Sequence, residues 1–143
     1  MTVPYIFGTL TGTPPIDVPA SELDDNFSYL LGLVPSPTTI ACITNQLLTT
    51  GQSLNTFTNA GAGGAVTLTL PTPTAGLLYI FVVAANQTLT IAAGGSVVIA
   101  LGEVTSTAGG NISSSTSYSA VTLRAISASV WAALSITGTW TPA

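Results

Sequence analysis

The sequence predicts a mainly β protein: an extended N-terminal arm with one short helix, then an antiparallel β-sandwich, barrel or β-prism that assembles with copies of itself. Three observations predict this. From Asn59 onward, apolar and hydroxyl-bearing residues alternate in short runs broken by Gly, Pro and Asn, the pattern of half-buried strands joined by tight turns. Upstream, only residues 19–32 space their apolar side chains as a helix does. Charged residues make up 4% of the 143 positions, against about 25% in an average soluble domain, so the surface is covered by hydroxyls and amides and has little charge to keep molecules apart.

The elements follow in order. Residues 1–18 contain Pro4, Pro14, Pro15 and repeated Gly-Thr steps, which favour extended chain. Leu23, Phe27, Leu30 and Leu31 then share one helical face, Ser21 can cap the first turn with Asp24 three residues on, and Gly32 can close the last; the helix is expected over about 20–31. Residues 34–58 read as irregular chain around one strand at 39–44. After a Gly-rich turn at 60–64, period two puts Val66, Leu68 and Leu70 on one face, and Pro71 and Pro73 end that run. Strands are expected at 77–84, 88–92, 96–101, 120–126, 130–136 and 139–141, a spacing typical of sandwiches and barrels. The Ser-rich stretch 113–119 reads as a loop, and no fixed-period repeat of the solenoid kind is visible. The division this implies is an N-terminal arm region over residues 1–58 and a β-rich domain over 59–143.

Several function classes are excluded by residue type. Arg124 is the only basic side chain, so no patch can neutralise phosphates or grip an anionic membrane. The apolar run at 75–85 is too short for a membrane span, and the N-terminus lacks the basic stretch of an export signal. With no His, a nucleophilic triad lacks its base. Four of the five acids, Asp17, Glu22, Asp24 and Asp25, gather at the expected helix start, where exposed amides stabilise negative charge by about 0.3–1 kcal/mol each. Glu103 stands alone at a turn, the Gly clusters lack the Lys of a phosphate loop, and Cys42 has no partner for a disulfide. The reading is therefore no catalytic residue, no cofactor, no metal site and no enzyme. What remains for binding is Arg124, which could pair with Glu103 to order a subunit contact, together with Trp131 and Trp140, as core or subunit-interface anchors or as a platform for sugar rings.

Two segments carry a resemblance. Ile16-Asp17-Val18-Pro19-Ala20-Ser21-Glu22-Leu23-Asp24-Asp25-Asn26-Phe27, after a Phe-Gly-Thr-Leu-Thr-Gly section, resembles the N-terminal stretch of phage tail-fibre and virion-attachment proteins. Gly64-Ala65-Val66-Thr67-Leu68-Thr69-Leu70-Pro71, Gly76-Leu77-Leu78-Tyr79-Ile80-Phe81-Val82, Val130-Trp131 and Gly138-Thr139-Trp140 look like the β module of phage head fibres, tailspikes and decoration proteins. The resemblance implies a virion protein, assembled in the bacterial cytoplasm, whose N-terminal part docks on the particle and whose β part projects as a homotrimer. Pro4, Tyr5, Ile6, Phe7, Leu23, Phe27, Leu30 and Leu31 are then the candidate docking residues, and the major capsid protein or another virion protein is the partner. With the chain ending directly after the β module, a capsid decoration (cement) protein or short head fibre is expected ahead of an adhesin that binds host glycan.

Overall fold

The computed structural model describes residues 36–143, of which Pro37–Ala143 form one compact unit. The expected arm, the helix over 20–31 and the docking residues Pro4, Tyr5, Ile6, Phe7, Leu23, Phe27, Leu30 and Leu31 lie outside the described residues. Twelve strands follow in chain order: β1 (Thr39–Ala41), β2 (Gln46–Leu47), β3 (Thr56–Thr58), β4 (Val66–Thr69), β5 (Leu78–Val82), β6 (Leu89–Ala92), β7 (Val98–Leu101), β8 (Val104–Thr105), β9 (Asn111–Ser114), β10 (Ala120–Ala125), β11 (Val130–Thr137) and β12 (Thr141–Pro142). They build a seven-stranded sheet, ordered β1-β3-β5-β10-β11-β7-β8, and a five-stranded sheet, ordered β12-β9-β6-β4-β2.

The protein is mainly β, as its composition and alternation require. Its sheets are mixed, however, where antiparallel ones are expected. In the large sheet β1, β3 and β5 run parallel, as do β7 and β11, and in the small sheet β2, β4 and β6 run parallel. Parallel neighbours need a long crossover, usually a helix. From β1 to β6 each crossover is a strand of the opposite sheet, so the chain alternates between sheets and winds as short coils. The coils are unequal, since Thr39 is level with Thr56 but Thr56 with Ile80, and this inequality hides any repeat from the sequence. Antiparallel strands then close both sheets, β9 on β6, β10 between β5 and β11, and β12 on β9.

The winding corrects the expected boundary at 58/59. Strands β1, β2 and β3 lie within that region, yet β3 pairs with β5 and β2 with β4, so the β unit begins some twenty residues earlier. The stretch 113–119 is likewise not all loop, because Ser113 and Ser114 belong to β9.

The inward faces follow period two. Val66 and Leu68 of β4, Tyr79 and Phe81 of β5, Leu89 and Ile91 of β6, Ile99 of β7, Ile112 of β9, Val121 and Leu123 of β10 and Trp131 of β11 are each no more than 1% exposed and join one hydrophobic cluster. Burying a side chain of this size stabilises the fold by about 1.5–3 kcal/mol. Four aromatics centre the cluster: Tyr79 meets Trp131 edge-on with centroids 5.5 Å apart, and Phe57 lies 5.8 Å from Phe81 and 6.1 Å from Tyr79. One polar side chain pins the coils. Asn59, fully buried after β3, accepts from the N–H groups of Ala84 (2.7 Å) and Ala85 (2.9 Å) and donates to the Gln87 carbonyl (2.8 Å). It thereby satisfies the backbone of the β5–β6 connection, where no strand partner is available.

Candidate functional site

The three candidate binding residues inside the described region separate in space. Trp131 is 0% and Trp140 7% exposed, so both are core residues. The register explains Trp131: it stands opposite Ala125, which is itself buried, and so shares its inward parity. Arg124 points the other way, exposed on the outer face of β10 between Leu78 of β5 and Ala132 of β11. Glu103 sits in the exposed turn between β7 and β8, with β11 intervening between β10 and β7. At about 4.8 Å per strand, Arg124 is roughly 10 Å from β7 before the offset of the turn is added. No ion pair joins Arg124 to Glu103 within the chain, and β11 stands between β10 and β7.

The two outer faces differ in chemistry. On the seven-stranded sheet the register lines up Thr58, Val82 and Ala120, then Thr56, Ile80 and Thr122, then Leu78, Arg124, Ala132 and Ala100. Its centre is the half-buried stripe Leu78, Ile80 and Val82. On the five-stranded sheet the register lines up Thr67, Thr90, Ser113 and Thr141, with Thr69, Ala92 and Asn111 beside them. One face centres on an aliphatic stripe flanked by Thr56, Thr58, Thr122 and Arg124; the other is a ladder of hydroxyls. Cross-strand register, which one sequence does not display, makes this contrast visible.

The hydroxyl face ends in a shallow cleft of about 200 Å³ lined by Thr88, Ser113, Ser115, Thr116, Thr139 and Thr141. Two residues beyond Thr116, Tyr118 is 80% exposed with a left-handed backbone (φ 65°), held by its N–H bonded to the Val83 carbonyl at 2.7 Å. Such a conformation costs a non-Gly residue about 1–3 kcal/mol and persists only where the surroundings enforce it. A second cleft, of about 540 Å³, is lined largely by apolar residues, among them Leu47, Leu70, Pro71 and Val97. Neither is lined by an ionisable group, and among the described residues no cluster of His, Cys, Asp or Glu could hold a metal.

The remaining reactive groups are sequestered. Cys42 is fully buried, and burial pushes its thiol pKa up, away from the reactive thiolate. Burial likewise raises Tyr79, whose hydroxyl donates to the Thr49 carbonyl at 2.9 Å. The arrangement offers surfaces for hydrogen bonding and apolar contact. Comparison with protein-family models finds no match, and neither does comparison with curated proteins.

Proposed function

We propose that this chain is a non-enzymatic structural subunit of a bacteriophage virion, a capsid decoration or short head-fibre protein that attaches as a homotrimer to a shell of major capsid protein. One observation carries the reading: the β unit turns an aliphatic sheet face outward while its side chains provide a single cation, Arg124, and a single anion, Glu103. Apolar surface of that kind is relieved by burial against protein, and contacts made by burial and backbone pairing resist changes of salt. A cement subunit needs both properties, because it must add buried area across capsid joints outside the cell. Cosedimentation with empty capsid shells tests the attachment. Saturable binding of the full chain is expected; a chain that stays in the supernatant at every shell concentration contradicts the proposal.

A second reading is an adhesin for host glycan, and the hydroxyl cleft with Tyr118 near its rim favours it. Neutral hydroxyls can hydrogen-bond a sugar, and an exposed ring can stack on its apolar face. In this reading a glycan-array signal is lost on Tyr118→Ala and survives Trp140→Phe, since Trp140 is buried.

A further inference from the structure

We propose that copies of this chain meet through the outer face of the seven-stranded sheet, with Arg124 of one copy paired to Glu103 of the next. The proposal rests on the self-assembling reading above and adds its surface and its ion pair.

Strand β5 carries the argument for the surface. Leu78, Tyr79, Ile80, Phe81 and Val82, with Val83 after them, are apolar without alternation, the pattern of a strand covered on both sides. Among the described residues the inner side is fully covered and the outer side only in part: Tyr79, Phe81 and Val83 are 0% exposed, whereas Leu78, Ile80 and Val82 are half-buried. Small or aliphatic neighbours extend the outer stripe through Ala120 on β10 and Ala132 on β11. The polar groups there are already satisfied in part, since the Ser135 hydroxyl donates to Thr122 Oγ1 at 3.0 Å, so this face can lose its water at low cost. The opposite face, with its ladder of hydroxyls, suits solvent. The contrast selects which side is covered.

Charge selects a second copy as the occupant. Between residues 37 and 143 the side-chain charge sums to zero, from Arg124 and Glu103, both exposed and held apart by β11. Nothing in the unit repels its twin. In a closed ring of identical copies each contact has one guanidinium and one carboxylate available to it, so two groups that stand apart within one chain can pair between chains. Joining them at the rim of an aliphatic contact fixes its register.

The test uses the full chain, with sedimentation velocity to read assembly and far-ultraviolet circular dichroism to verify folding. Ile80→Ser, Arg124→Glu and Glu103→Arg each alter an outward side chain, so the fold should survive; each is expected to weaken self-association by on the order of tenfold or more. The double swap Arg124→Glu with Glu103→Arg should recover wild-type assembly, because every contact of the ring again joins one guanidinium to one carboxylate. Folded Ile80→Ser and Arg124→Glu variants that assemble like the wild type would overturn the proposed surface and leave self-assembly standing. A double swap without recovery would overturn the ion pair. A wild-type chain that never associates would defeat the underlying reading and this inference with it.

Discussion

Asn59 shows how much one residue contributes to this fold. Its side chain completes two backbone N–H groups and one carbonyl that the winding strands leave without a ladder partner. Asn59→Ala strands these groups, at about 1–3 kcal/mol for each one left buried and unpaired. Urea denaturation should therefore show a loss of about 2–4 kcal/mol or more, a large share of a small domain's stability. A second prediction concerns pH. Cys42 and Tyr79 have folded pKa values raised by burial above ordinary values of 9.0 and 10.0. Their contributions are complete below those values and are lost as pH rises through the higher folded ones, because the unfolded chain then releases protons the folded chain retains. Stability should stay level on approach to pH 9 from neutrality and decline above it. Cys42→Ala should delay the onset of that decline, and Tyr79→Phe should reduce its slope at still higher pH, as read from melts in buffers spanning the range.

At the scale of elements, the turn between β11 and β12 depends on Gly138. Its φ is +75°, and a Cβ there would run into the buried Ser119. Gly138→Ala should cost about 1–3 kcal/mol and loosen β12 first, which hydrogen exchange at the Ala143 amide, normally bonded to the Asn111 carbonyl at 2.9 Å, would register. Strands such as β4, β6 and β10 were legible in the sequence because alternation marks them whatever they pair with, and β5 because an unbroken apolar run follows Gly76. Their partners were not legible: parallel coils and antiparallel hairpins share the same period of two, and β2, β3 and β8 are too short to show a period at all. The β9 strand was hidden by composition, since Ser113 and Ser114 favour loops when read alone yet here continue a ladder from β6. The same limit governed the site. Trp131 and Trp140 have no parity until register assigns one, and the two outer faces exist only once strands lie side by side.

At the scale of the molecule, low charge and an apolar sheet face act as one property in the proposed assembly. A subunit that is built to be covered has little need of surface charge, and its assembly should hardly respond to salt across the range in which exposed ion pairs are screened. Only the single Arg124–Glu103 contact should add a shallow dependence. The most direct measurement is the mass of the full chain in solution by light scattering, followed on dilution from micromolar concentrations in low and high salt. A species of three times 14.3 kDa that persists at both salt levels is expected. A stable 14.3 kDa monomer throughout would contradict it.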